Sequence, residues 1–370
     1  MHHNILLCSP YYPDKKETTC GLANWTRNIL SKQKDNSEIN LRLIPFDRTV
    51  DLNEESSIFQ RLISGLKDYP KLIKKAQKEL KANKYDIIQV SSNGSIGMIK
   101  DFFIAKYAKK RGVKMLIHHH FGRIPELINS KGWEGRLLRL NLKESYGSIV
   151  MDKASYDALK QSGYDKIYYL PNPLSEKWFS QIENEKNTFV REDKTILFVG
   201  HVVKTKGIYE LVEACDMIPE VKVNIVGKVT ESAIRELKNL CKNRNNVEWL
   251  SFLGEIPHED VLREMAKCSI FVLPTYTEGF PNVILESMAS YCPIITTSVG
   301  AIPEMLDVST DPCGVVVSPQ DSYVLKNAIE TLMKNKELRV TYGEKAGLRV
   351  RNCYTTEIVW KKLENIWNSI

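Results

Sequence analysis

The chain has 370 residues, 43% hydrophobic and 26% charged, a length and balance suited to two soluble domains with a core each. No apolar run approaches the roughly 18 residues of a membrane span, and eight cysteines without a CxxC spacing speak against a disulfide or zinc framework and for reduced thiols. The charge is uneven: residues 1–170 hold 29 Lys and Arg against 18 Asp and Glu, net +11, while the remainder holds 23 against 27 within an overall +7.

Met1-His2-His3-Asn4 runs at once into Ile5-Leu6-Leu7-Cys8, a buried strand. With no basic n-region, long apolar core and cleavage site, the chain reads as cytoplasmic. Ser9-Pro10-Tyr11-Tyr12-Pro13 breaks the strand, and a helix follows from about Gly21 with Leu22, Trp25, Ile29 and Leu30 on one face. Strand and helix patterns then alternate. Leu41–Pro45, Ile87–Val90 and Val113–Ile117 read as strands, and stretches around 54–82 and 97–111 as helices, the rhythm of a parallel βαβ sheet.

Three basic clusters fall in this half: Lys71, Lys74, Lys75, Lys78 and Lys81; Lys106, Lys109, Lys110 and Arg111; and Arg136, Arg139 and Lys143 among leucines. Each alone is an ordinary solvated face. Together they point to peripheral contact with an anionic membrane, and nucleic acid is not expected, because no recognised module or aromatic-interleaved basic run accompanies them. His118-His119-His120 leaves the strand 113–117. In extended chain 118 and 120 share a side, and no further ligands at zinc spacing are evident, so no metal is expected.

Leu170-Pro171-Asn172-Pro173 interrupts the pattern, and the polar run 176–194 reads as a linker that follows a first domain, 1–172. Thr195–Gly200 opens a second βα series over 190–352, with strands at 221–226, 247–253, 270–273, 293–297 and 315–317. No GxGxxG follows either first strand, which argues against a dinucleotide-dependent oxidoreductase. Ile270–Pro274 leads to a loop with Glu278 and Gly279, and residues 282–291 carry a helical stripe of Val283, Ile284, Met288 and Tyr291. The amides of Phe280 to Val283 thus open a helix and favour anions and hydroxyls. Glu286 lies eight residues past Glu278, so two carboxylates face one crevice at two depths.

Thr277-Glu278-Gly279-Phe280-Pro281-Asn282-Val283-Ile284-Leu285-Glu286-Ser287-Met288-Ala289 resembles the signature of the GT4-type retaining glycosyltransferases. The resemblance implies the α/β GT-B architecture: two Rossmann-like domains facing a cleft, with a C-terminal helix, here about 355–370, crossing back to the first. It gives Glu278 and the following backbone, from Gly279 through Phe280, Pro281 (which has no N–H to offer), Asn282 and Val283, to the donor sugar, and Glu286 to the ribose hydroxyls. Lys206, in Gly200-His201-Val202-Val203-Lys204-Thr205-Lys206-Gly207, falls on the donor diphosphate, and His201 stands where the family carries Arg. Gly227, Gly254 and Ile256 would line the base. Gly21 matches a glycine-containing loop in which Cys20 replaces the usual first glycine, and His120, with His118 second, would reach the donor sugar.

Catalysis would then fall to Glu278, His120 and Lys206. A nucleotide-sugar, a UDP-sugar first, would be substrate, a glycan or lipid-linked molecule the acceptor, and no cofactor is implied. No Asp-x-Asp occurs to hold a metal on the diphosphate. A nucleotide-sugar epimerase or phosphorylase of the same architecture, and a catalytically silent sugar-nucleotide-binding subunit, remain the alternatives.

Overall fold

In a computed structural model, residues 3–12, 21–33, 39–46, 58–185, 188–244 and 246–370 are described. They form two compact units, Met1–Pro173 with Thr356–Ile370, and Leu174–Thr355.

The first unit holds β1 (His3–Ser9), β2 (Ile39–Pro45), β3 (Ile87–Ser92), β4 (Lys114–His119), β5 (Gly147–Val150) and β6 (Ile167–Tyr169), all parallel in the order β2-β1-β3-β4-β5-β6. Central strands of such a sheet are buried on both faces and so read as continuous apolar runs. Their alternation then sorts the core. Ile5, Leu7, Ile87, Leu116 and Ile149 meet Trp25 and Ile29 of the helix Gly21–Gln33 and the C-terminal helix Thr356–Asn368. Leu6, Cys8, Ile88, Val90, Met115 and Ile117 face the helices Ile58–Ala82 and Gly97–Lys110 on the other side.

The C-terminal helix belongs with this unit because Val359, Trp360, Leu363, Ile366 and Trp367 make one apolar stripe. Its Trp367 Nε1 donates to Gln89 Oε1 at 2.8 Å inside the core. That bond satisfies two buried polar groups far apart in the chain.

The second unit holds β7 (Thr195–Val199), β8 (Lys222–Val226), β9 (Leu250–Gly254), β10 (Ile270–Leu273), β11 (Ile294–Thr297) and β12 (Val315–Val317), ordered β12-β11-β10-β7-β8-β9. Its strand order reverses between β7 and β10, the place where open α/β sheets bind ligands. Side-chain caps punctuate its helices: Thr230 accepts from the Ala233 amide, and Asp321 from those of Tyr323 and Val324.

The run 176–194 is not a linker. It carries the helix Glu176–Glu185, whose Ile182 is buried and whose Glu183 accepts from Tyr291 Oη at 3.0 Å. Trp178, Phe179 and Ile182 supply an apolar side that the surrounding charges mask in sequence. Arg191 then donates to the carbonyls of Met265, Cys268, Ser290 and Tyr291, tying the polar stretch to the unit. The expected helix 54–82 is observed over Ile58–Ala82, residues 51–57 lying outside the described ones.

Candidate active site

The loop leaving β7 folds into a 3₁₀ turn, Lys204–Lys206, closed by Gly207 with φ 69°. A Cβ at Gly207 would lie 1.9 Å from the carbonyl oxygen of Pro274, so only glycine lets this loop approach the end of β10. The loops are laced together: Tyr276 N donates to Thr205 O at 2.8 Å, and Thr275 Oγ1 to the same carbonyl at 3.3 Å. The helix Ile208–Asp216 starts directly after Gly207.

This lacing brings Lys206 Nζ within 2.8 Å of Glu278 Oε1. Lysine and glutamate are 20% and 13% exposed, sheltered from bulk water but reachable. Beyond Glu278, the Gly279 carbonyl accepts from Ala301 N at 2.9 Å. A Cβ on Gly300 would meet Glu278 O at 2.3 Å. The loop is therefore held from both sides before the chain enters the helix Asn282–Ala289, with Pro281 at its N-cap. Phe280 is buried and meets Tyr354 edge-on at 5.6 Å. Asn282 and Val283 are half-buried at the helix opening.

Glu286 Oε1, one turn further, lies 3.0 Å from His258 Nε2 and accepts from it when that nitrogen carries the proton. His258 begins the helix His258–Lys267, and its ring lies 4.3 Å from that of Trp178, over which Lys177 Nζ sits at 3.8 Å. Neither His258 nor Trp178 was expected from sequence. His258 follows directly on Gly254-Glu255-Ile256-Pro257 and could have been found by extending that loop by one residue; Trp178 was hidden in the supposed linker. Gly227 bonds its amide to Gly254 O at 2.8 Å, and a Cβ there would meet Gly200 O at 2.1 Å, so the ends of β7, β8 and β9 converge on backbone. Ile256 is half-buried beside them. His201 is half-buried on the β7 loop, its side chain making no hydrogen bond among the described residues, and Lys204 is exposed.

A second set of residues belongs to the first unit. Gly21 opens its helix, and the preceding loop lies outside the described residues. His120 follows β4 directly, with its amide on Ser92 O at 2.7 Å. Its ring is 3.9 Å from that of His118, and both lie edge-on to Trp25 at 5.2 and 4.8 Å. His119 turns the other way, to Ser148 Oγ at 3.1 Å. Burial pushes His119 and His120 down to about 3, with His119 adding to the effect on His120, and lowers His118 well below its usual range. All three are neutral imidazoles at pH 7, able to donate or accept but not to carry charge. Among the described residues, no three His, Cys, Asp or Glu side chains are grouped to hold a metal ion.

The arrangement offers a sheltered cation, two carboxylates and the amides of a helix N-terminus at one sheet edge. It can neutralise a phosphate and hold hydroxyls. Its fold is that of the GT-B glycosyltransferases, as in sucrose-phosphate synthase from Thermosynechococcus elongatus (TM-score 0.75, 17% identity, 100% of this chain and 99% of that one) and Anabaena HepE in complex with UDP and glucose (TM-score 0.71, 17% identity, the whole of both chains). Residues 179–349 match the family described as glycosyl transferases group 1. The capsular polysaccharide biosynthesis glycosyltransferase CapM of Staphylococcus aureus is 32% identical over 247 residues, 65% of this chain; the match spans 60% of CapM's own length.

Proposed function

We propose that this protein is a retaining, GT4-type glycosyltransferase that moves a sugar from a nucleotide-sugar, a UDP-sugar first, to a glycan or lipid-linked acceptor in envelope polysaccharide synthesis. The observation that carries the reading is the Lys206–Glu278 pair, 2.8 Å apart, at the reversal of strand order and beside the opening of the helix Asn282–Ala289. CapM's name and the UDP in the HepE structure support the substrate class.

In this reading Lys206 meets the diphosphate, and Glu278 with the helix amides holds the sugar hydroxyls. Glu286, backed by His258, holds the ribose. As the C1–O bond to the diphosphate breaks, its electron pair stays on the leaving phosphate, where Lys206 stabilises the developing charge. The acceptor oxygen bonds C1 from the same face, and its proton passes to that phosphate oxygen. His120, neutral, contributes hydrogen bonding to the sugar. With lysine at the phosphate and no Asp-x-Asp in the chain, the reaction needs no metal. No helix among the described residues is long and apolar enough to cross a membrane, and the protein works in the cytoplasm, against the inner membrane face.

The test is release of nucleoside diphosphate by purified protein from a panel of UDP-, GDP- and ADP-sugars, with and without chelator. The expected result is chelator-insensitive UDP release and a product with the donor's anomeric configuration by NMR. Binding without turnover of any donor would leave only the silent subunit; an inverted product would overturn retention.

A further inference from the structure

The three basic clusters, far apart in sequence, meet on one side of the first sheet. The helices Ile58–Ala82, Gly97–Lys110 and Trp133–Glu144 follow one another across it. The first two share the core of Leu72, Ala76, Leu80, Ile104 and Ala108. The third joins through Asn141 Nδ2, which donates to Met98 O at 2.9 Å, and through Lys109 Nζ, 3.2 Å from Glu144.

Each of the last two helices presents one exposed stripe. On Gly97–Lys110 it is Ile99, Phe103, Lys106 and Lys110; on Trp133–Glu144 it is Trp133, Arg136, Leu140 and Lys143. Both spacings follow the helical repeat. Phe103, Trp133 and Leu140 are 50%, 57% and 46% exposed on these two adjoining helices, and exposed large apolar groups that share a face mark interaction surfaces. Behind them, Arg136, Arg139, Leu140, Lys143 and Tyr164 line an open depression of about 550 Å³. Lys71, Lys74, Lys75, Lys78 and Lys81 are exposed on the neighbouring helix.

The charge on this side is available. Glu79 is already engaged by Arg42, Asn83 and Tyr85, Glu134 by Arg123, and Glu144 by Lys109. Among the described residues, Lys106, Lys110, Arg136 and Lys143 make no ion pair.

We propose that this face docks on an anionic phospholipid bilayer, with Phe103, Trp133 and Leu140 entering the acyl boundary and Lys106, Lys110, Arg136 and Lys143 meeting the headgroup phosphates. The inference deepens the peripheral-membrane part of the reading above and rests on it. Aromatic and aliphatic groups interleaved with unpaired cations are what an interfacial surface combines. A purely electrostatic partner would leave the aromatic groups unused. Each cation near such a surface strengthens binding roughly fivefold.

The test is cosedimentation of the full chain with vesicles of phosphatidylcholine alone or with about one-third phosphatidylglycerol, at low and high salt. Three variants accompany the wild type. One is Lys106→Glu/Lys110→Glu/Arg136→Glu/Lys143→Glu, and one is Phe103→Ser/Trp133→Ser. The third is an equally charged control, Lys222→Glu/Arg235→Glu/Lys238→Glu/Lys242→Glu, on the other unit. Thermal melting confirms that each is folded. The wild type and the control should bind the anionic vesicles alike, and the basic-face variant at least about a hundredfold more weakly. The aromatic variant should fall about tenfold. Brominated acyl chains should quench wild-type tryptophan emission more than that of Trp133→Phe.

If the wild type ignores anionic vesicles at low salt, the membrane reading and this face both fall. If it binds and the basic-face variant binds equally well, only the face falls. If charge matters but the aromatic variant and the quenching are unchanged, the occupant is a soluble polyanion and the proposal is overturned. Sugar-nucleotide turnover in solution is measured separately, so none of these outcomes is confused with the fate of the transferase assignment.

Discussion

At the carboxyl edge of the first sheet, where the order turns between β1 and β3, the polar groups facing the helix Gly21–Gln33 are hydroxyls and neutral imidazoles. The ion pair of Lys100 with Asp101 is instead wholly buried under the helix Gly97–Lys110, Lys100 Nζ donating to Ser91 O at 3.3 Å. Ser9 Oγ is bonded to Thr26 Oγ1 at 2.6 Å and to Ser91 Oγ at 2.8 Å, and beyond them the His118 and His120 rings lie 3.9 Å apart, tilted by 43°. At the matching turn of the second sheet, between β7 and β10, the groups are an ion pair, Lys206 on Glu278, and a carboxylate, Glu286, hydrogen-bonded to His258. One architecture thus carries two electrostatic designs. A desolvated imidazole keeps hydrogen bonding and gives up charge. A lysine held by a partner carboxylate keeps its charge at a sheltered site, ready for a phosphate. The difference separates a surface suited to uncharged hydroxyls from one suited to a diphosphate.

The comparison breaks most sharply at Lys206. Lys206→Ala should lower turnover about a hundred- to thousandfold, the range for removing a group that stabilises developing negative charge, with the fold intact by circular dichroism. Turnover within a factor of about three would place the phosphate elsewhere. Glu286→Ala comes next. Losing a charged acceptor for two hydroxyls costs about 1.5–3 kcal/mol, roughly ten- to hundredfold in donor affinity by calorimetry; unchanged affinity would refute the ribose role.

The first sheet is tested by acid. Its histidines are depressed in the folded state from an ordinary 6.5, His119 and His120 to about 3, so the unfolded chain binds more protons below that value. Their contribution to stability is complete above pH 6.5 and is lost as pH falls toward 3. Each contributes a slope of up to about 1.4 kcal/mol per pH unit. His118→Leu, which also removes two buried nitrogens without partners, should flatten chemical-denaturation stability between pH 6 and 4 (an interval of about two units inside that window); an identical slope would show that His118 is not desolvated. Smallest is His201→Arg. A guanidinium grips phosphate bidentately where an imidazole does not, so donor affinity should rise up to about fivefold, the worth of an exposed ion pair. No change would mean that Lys204 and Lys206 already satisfy the diphosphate, and loss of turnover at unchanged stability would give His201 a role of its own.

Local physics made much of this legible in one dimension. Doubly buried parallel strands are apolar nearly throughout, so Ile5–Cys8, Ile87–Val90 with its single Gln89, and Ile270–Leu273 declare themselves. A loop that must bring amides to a ligand needs glycine and a helix start, so Gly207 and the Glu278–Glu286 stretch could be placed before any coordinates. Unlike the equally short but wholly apolar β10 and β12, β5 and β6, short and of mixed character as Gly147-Ser148-Ile149-Val150 and Ile167-Tyr168-Tyr169, could not. Nor could the helix Glu176–Glu185, whose apolar side is three residues among charges.

The amino-acid sequence by itself determined the strand–helix rhythm, the order of the glycines and carboxylates, and the surplus of positive charge in the first half, because each depends on neighbours a few positions apart. Tertiary structure alone decided which residues meet. Lys206 finds Glu278 across 72 positions, and His258 finds Glu286 across 28. Three separate basic helices become one face because parallel crossovers lay successive helices side by side. Those pairings rest on sheet order, and sheet order is a property of the whole folded chain, set by where each apolar face finds its cover.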